Sequence, residues 1–229
     1  MPWWRKGWLP ASVAVAGVAI VGAVLLLGPG AGLLGASPSP SGGASPVSSG
    51  PRGVNCPTSQ PASLPAGQTR TVTIETAKGN IVLKVDGGLS PIAAGNFVAL
   101  AQCGFYDGIV FHRTPTMQNG TPFVIQGGDP EGTGGGGPGY TIKDEPVTAT
   151  YKRGTVAMAR SQAADSQGSQ FFIVLSDGAA APLSDANTYA IFGEVTSGME
   201  VADAIYQASA GQELPTSPIA MTHVTVTNP

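Results

Sequence analysis

The side chains of this chain that are equipped for chemistry cluster in three short blocks. Residues 104–113 read GFYDGIVFHR and end on His112 and Arg113; residues 123–130 read FVIQGGDP and carry Gln126; residues 168–176 read GSQFFIVLS and carry Gln170. A fixed cation can stabilise charge or a lone pair that develops during a reaction. Neutral amides donate and accept at once, so they suit holding such a cation and a carbonyl together. Taken alone, Arg113 reads equally well as a solvated strand arginine, because arginine is mostly exposed. Gln126 and Gln170 read equally well as strand polarity facing water. Phe123, Val124, Phe172 and Leu183 offer apolar surface for a pocket, but each residue type is more often core, and alternation says only that some of them face inward. With two histidines, neither near a cysteine in sequence, the ligands for a zinc site are lacking and no metal is expected.

In this order, the three blocks resemble the cyclophilin family. The likeness extends to NFVAL, GPGY, KDE, GTVAMAR and IFGEV, and so covers nearly all of residues 71–227. The resemblance implies an eight-stranded antiparallel barrel capped by two helices, peptidyl-prolyl cis–trans isomerase activity and no cofactor. It puts Arg113 where the family has its catalytic arginine, with Gln126 beside it. It assigns Gln170, Phe123, Val124, Phe172, Leu183 and Tyr189 to substrate binding. Ala159 and Arg160 match the stretch whose main chain pairs with an extended substrate, a contact like β-augmentation. Partners would be proline-containing polypeptides, met by a monomer. The competing readings are a non-catalytic proline-binding or holdase module at the cell surface, and a scaffold protein of the envelope.

The chemistry of prolyl isomerisation fits these residue types. Rotation about a peptide C–N bond costs about 18–20 kcal/mol because conjugation is lost. At X–Pro the planar forms are nearly balanced and exchange in tens to hundreds of seconds. In the twisted transition state the prolyl nitrogen gains a lone pair, and a fixed donor aimed at it binds that state more tightly than either planar form. No proton is transferred, so His112 is expected to be structural.

Three departures from the family pattern stand out. Residues 114–122 form a connection several residues longer than usual. Tyr189 stands where the family has a pocket histidine, in an alignment that needs an insertion around residues 179–187. Pro182 replaces a tryptophan associated with cyclosporin binding, which puts sensitivity to that drug in doubt and leaves catalysis untouched.

The elements that must carry these residues read as mainly β. Residues 69–86 alternate β-branched and polar side chains about Lys78, Gly79 and Asn80, a hairpin pattern. Ser90-Pro91 reads as an N-cap followed by proline at the first helical position, opening a helix that ends near Gly104. Short β segments follow as IVFHR, PFVIQG, YTI, GTVAMAR, SQFFIVLS and YAIFGEV, parted by glycine and proline. A second helix starts at Ser197-Gly198-Met199-Glu200, a capping-box pattern, and a last strand covers about 221–227. Many short strands with two helices predict a closed barrel whose ends the helices cover.

Ahead of this domain, residues 9–27 are apolar and uncharged, with Arg5 and Lys6 just before them. The run is long enough to cross a bilayer, longer than a signal-peptide core. The expectation is an uncleaved anchor, N-terminus inside, with Trp3, Trp4 and Trp8 at the interface; cleavage near residues 31–37 is the alternative. The chain is thus read as 1–34, a cytoplasmic stub and transmembrane helix; 35–68, a Pro/Ser/Gly-rich linker without the apolar content to order itself; and 69–229, the isomerase domain. An extracytoplasmic location follows, single-pass or secreted. There, Cys56 and Cys103 leave open a disulfide and two free thiols. A net charge of −3 provides no basic face, so nucleic acid is not an expected partner.

Overall fold

The computed structural model describes residue 53 and residues 55–228. The expected membrane segment, residues 9–27, lies outside them. Among the described residues no helix is long and apolar enough to cross a membrane.

Among the described residues, eight strands and three α-helices follow in the order β1 (Thr69–Thr76), β2 (Gly79–Asp86), α1 (Pro91–Gln102), β3 (Phe111–Arg113), β4 (Val124–Gly127), β5 (Thr155–Met158), β6 (Phe171–Val174), α2 (Ala180–Ala186), β7 (Ile191–Ser197), α3 (Met199–Ala208) and β8 (Met221–Thr227). All strand pairs are antiparallel, in the order β3-β4-β6-β5-β7-β2-β1-β8. The alternation read over residues 69–86 is the β1–β2 hairpin: Val72, Ile74, Ile81, Leu83 and Val85 are fully buried, and the residues between them are not.

The expected closed barrel is corrected to a curled half-barrel. β3 and β8 are edge strands, and they meet at one corner only. There Val110 bridges Ala220, the Phe111 N–H donates to the Ile219 carbonyl at 2.9 Å, and the Met221 N–H donates to the Ile109 carbonyl at 2.8 Å. β3 is three residues long, and beyond it the chain departs into residues 114–122, so no length remains for a closing ladder. YTI is not a strand: Ile142 makes a single bridge to Gln167.

The inner face of the sheet closes over one large core centred on Phe97 of α1. Its ring meets those of Tyr106, Phe171 and Phe192 at centroid distances of 5.1, 5.1 and 4.8 Å. Burial of aromatic rings of this size, with edge-to-face contacts such as Phe97–Phe171, is the main stabilising term available to a sheet this irregular.

Both predicted helices are present, but their starts are held differently from the sequence expectation. The Ser90 hydroxyl makes no cap bond to α1. The cap comes from Glu145, whose carboxylate accepts the N–H groups of Ile92 and Ala93 at 2.8 Å each. At α3 the N-cap is Gly198, at φ 89°, and no side chain caps it. A side chain at 198 would be strained at that φ, and its Cβ would stand 2.2 Å from the Asn80 carbonyl, so glycine replaces the expected serine cap. The third helix, α2, sits inside the 179–187 insertion; its seven residues are too few to carry a helical period.

The expected linker also ends earlier than residue 68. Leu64 is buried, its N–H donates to the Pro91 carbonyl at 2.9 Å, and Gly95 of α1 lies so close that a Cβ there would fall 2.2 Å from the Ala62 carbonyl. Cys56 and Cys103 form a disulfide, which settles the open alternative and fixes this arm to the end of α1.

Candidate active site

A bulge in β3 turns Arg113 toward the outer face. Phe111 pairs with Gly127, but Arg113 pairs with Gln126, so two steps along β3 match one step along β4. The extra residue reverses the side-chain alternation at this point. Phe111 therefore points into the main core, while Arg113 joins Gln126 on the opposite face. The next strand carries the row onward, because Gln126 pairs with Phe172 and Phe172 with Ala157. Arg113, Gln126, Phe172 and Ala157 form one line across β3, β4, β6 and β5. Two residues along, Val124 stands on the same face.

This face has its own apolar cluster, separate from the core, containing Val124, Tyr151, Ala157, Phe172, Val174, Ala179, Leu183 and Ile191. The insertion that carries α2 supplies Leu183, and Tyr189 meets Phe172 edge-on at 5.4 Å. Together they shape a cavity of about 190 Å³, lined by Arg113, Phe123, Val124, Gln126, Ala159, Arg160, Phe172, Pro182, Leu183 and Tyr189. Its lining is mostly aliphatic and aromatic, with Arg113 and Gln126 adjacent on β3 and β4. Of the residues that the resemblance assigns to catalysis and substrate binding, Gln170 alone is not on this wall. It lines an adjoining cavity of about 550 Å³ with the glycines at 134–137, and Gln126, Ala159 and Arg160 border both spaces.

Gln170 acts on Arg113 through a relay. Its Nε2 donates to the carbonyls of Gly134 and Gly136, at 2.9 Å each. That fixes its amide, so its Oε1 accepts from Gln126 Nε2 at 2.9 Å, and Gln126 Oε1 in turn accepts from Arg113 Nη1 at 3.3 Å. The glycine carbonyls are themselves placed by Asp129, whose carboxylate accepts the N–H groups of Glu131, Thr133, Gly134 and Gly136. Burial pushes the Asp129 pKa up, but these backbone donors outweigh it and hold the carboxyl below its ordinary value. The other edge of the Arg113 guanidinium belongs to Glu213, whose Oε1 accepts from Nε at 2.8 Å and lies 2.7 Å from Nη2.

Arg160 has a different task. Its guanidinium pairs with Asp144 at 3.0 Å and donates to the Ala163 carbonyl, so its charge is committed to the loop that frames the larger cavity. The Ala159 N–H donates to the Gln170 carbonyl at 2.9 Å. His112, the extra residue of the bulge, is buried; burial lowers its pKa, with Arg113 adding to the shift and Asp129 opposing it. A neutral, buried imidazole fits the structural role expected for it. The long 114–122 connection folds on itself through a Thr116–Pro122 bridge and reaches α3 where Thr116 Oγ1 meets the Tyr206 hydroxyl at 2.5 Å.

Asp129 and Glu213 were not found by sequence reasoning. Asp129 had a local signal, an acidic residue opening a run of glycines. Glu213 had none: it lies 100 residues from Arg113 in a loop of ordinary composition.

Comparison with known proteins bears on the assembly as a whole. Residues 71–226 match the family model of cyclophilin-type peptidyl-prolyl cis-trans isomerases. A peptidyl-prolyl cis-trans isomerase of Helicobacter pylori is 43% identical over 144 residues, covering 61% of this chain and 82% of the relative. A probable peptidyl-prolyl cis-trans isomerase A of Mycobacterium leprae is 39% identical over 179 residues, covering 69% and 93%. Among solved structures, a cyclophilin-type isomerase of Cryptosporidium parvum superposes with a TM-score of 0.61 at 31% identity, covering 70% of this chain and 99% of that one. The same parasite protein has been solved in the presence of the dipeptide Ala-Pro, with a TM-score of 0.60 to this chain at 31% identity, covering 69% and 99%. The chain therefore belongs to the cyclophilin family and is a peptidyl-prolyl cis–trans isomerase.

Proposed function

We propose that Arg113 performs the isomerisation by stabilising the twisted prolyl amide, and that the protein does so for polypeptides outside the cytoplasm, assisting their folding. The observation that carries the mechanism is the placement of one oriented guanidinium at the polar edge of a small apolar cavity. A proline ring seated on Phe172, Val124 and Leu183, with Phe123 and Tyr189 around it, brings its nitrogen toward Arg113. Of the five N–H donors of a guanidinium, described residues hydrogen-bond two: Nε–H by Glu213 and one N–H of Nη1 by Gln126. Nη2 lies 2.7 Å from the same Glu213 oxygen as an ion pair, and its N–H groups and the second N–H of Nη1 are left to face substrate.

Substrate on the N-terminal side of proline would run past Ala159 and Arg160 toward the larger cavity. The Arg160 main chain lies on that wall and has no backbone partner among the described residues, so it suits pairing with an extended peptide. Gln126 holds both the arginine and the orientation of the incoming carbonyl. Each tenfold in rate needs only about 1.4 kcal/mol, and a preorganised cation in a partly dry site supplies two or three such steps.

Arg113→Ala is expected to lower kcat/KM on a proline tetrapeptide by two to three decades, roughly 3–4 kcal/mol, with the thermal transition little changed. Arg113→Lys recovers only part, because a point charge lacks the planar fork. Turnover by Arg113→Ala near the wild-type rate would sink this mechanism and favour a proline-binding module. The location outside the cytoplasm is supported by the Cys56–Cys103 disulfide, which persists in oxidising compartments, and by the apolar run at 9–27 behind Arg5 and Lys6. Protease added outside the cell tests it.

A further inference from the structure

The most specific contact of Arg113 comes from the far end of the chain. Glu213 lies between α3 and β8, on a loop pinned to the end of β3. The Thr114 N–H donates to the Glu213 carbonyl at 2.8 Å, and the Thr114 hydroxyl donates to the Gln212 carbonyl at 2.8 Å. The backbone of residue 213 is thereby fixed beside Arg113 before its side chain makes any contact. The carboxylate then takes the Nε and Nη2 edge of the guanidinium through one oxygen. On the opposite side, Gln126 takes Nη1.

We infer that Glu213 is a positioning residue for the isomerase reaction: it sets the plane of the Arg113 guanidinium so that the remaining N–H groups face the prolyl nitrogen. This rests on the reading of Arg113 as the stabilising cation. An arginine side chain has four soft torsions, and Gln126 alone, at 3.3 Å, restrains one corner. A planar group is oriented only when it is held at two separated points, and Glu213 is the second. Both partners are partly exposed, with side chains 40% and 57% accessible. Water screens the pair and leaves the cation's charge available to substrate, so the carboxylate contributes geometry more than neutralisation. The loss of such a partner leaves the arginine present but averaged over several orientations, and misplacement by about 1 Å at a reacting centre costs rate far more than binding.

The test uses the full-length chain and a chromogenic proline tetrapeptide. Glu213→Ala should lower kcat by about tenfold with KM changed less than about twofold. Glu213→Gln, which still presents a carbonyl oxygen to Nε, should retain more activity than Glu213→Ala. In 1H–15N spectra, the Arg113 Nε–H resonance should be sharp in the wild type, broadened in Glu213→Ala and partly restored in Glu213→Gln; a loop with a merely structural role would not produce that order. If Glu213→Ala matches or exceeds the wild-type kcat while Arg113→Ala is inactive, the positioning role is wrong and the arginine reading stands. If Arg113→Ala is itself fully active, the mechanism fails first and the inference falls with it.

Discussion

At the scale of single residues, the proposed mechanism separates the group that acts from the groups that aim it. Arg113 lines the cavity; Gln126 and Glu213 contact its guanidinium, and Gln170 and Asp129 stand behind Gln126 through hydrogen bonds. Pro182 belongs to neither set, yet it stands on the cavity wall on α2, where the family resemblance places a tryptophan. A tryptophan there offers cyclosporin a broad apolar face and an indole N–H donor; proline is smaller and has no side-chain donor. Losing a large contact and one hydrogen bond costs about two decades or more in affinity. In the proposed binding mode the peptide substrate relies on the proline pocket and on backbone pairing, so turnover is expected to be spared. Titration of the active enzyme should therefore need at least about a hundredfold more cyclosporin than tryptophan-bearing relatives, with Pro182→Trp regaining part of the inhibition. Tight inhibition of the unmodified protein would show that the drug contact is made by other residues.

At the scale of elements, what the sequence reveals depends on how local the cause is. The β1–β2 hairpin and α1 were legible because alternation and Ser-Pro are written into adjacent residues. The three blocks that hold Arg113, Gln126 and Gln170 were legible as a resemblance. The bulge that turns Arg113 outward was not, because it is a mismatch of register between two strands and exists only once they pair. The cap on α1 is similar in kind. Sequence reasoning assigned it to Ser90, and the structure assigns it to Glu145, 53 residues away from Ile92, because a charged acceptor reaching two N–H groups outcompetes one hydroxyl. Glu145→Ala should cost about 0.5–2 kcal/mol of stability, in the range of lost helix caps. For a domain of this size that is roughly 2–6 °C in Tm, with Glu145→Gln intermediate and kcat unchanged. Calorimetry that finds equal Tm values for Glu145→Ala and wild type would return the cap to Ser90 or to solvent.

At the scale of the whole molecule, the segment from Cys56 to Gln68 is part of the folded domain, although its composition reads as tether. Proline- and serine-rich sequence cannot order itself, so its order comes from outside: the buried Leu64, the close passage over Gly95 and the disulfide to Cys103. The disulfide spans 47 residues, and closing a loop of that order contributes about 2–4 kcal/mol by restricting the unfolded chain. A cut between Cys56 and Cys103 would therefore leave both pieces joined, and the packed backbone from Leu64 onward is poorly presented to a protease. The proposed topology then makes a sharp prediction. Protease added to cells stripped of any outer barrier should release a soluble, active fragment. Its N-terminus should fall between residues 28 and 55, with Cys56 and Cys103 still bonded. After reduction, cleavage should extend into residues 56–63 and stop before β1. A protein that stays in the cytosolic fraction contradicts the location outside the cytoplasm. A first cut between residues 56 and 68 under oxidising conditions contradicts the docking of the arm, and N-terminal sequencing of the released fragment distinguishes the two.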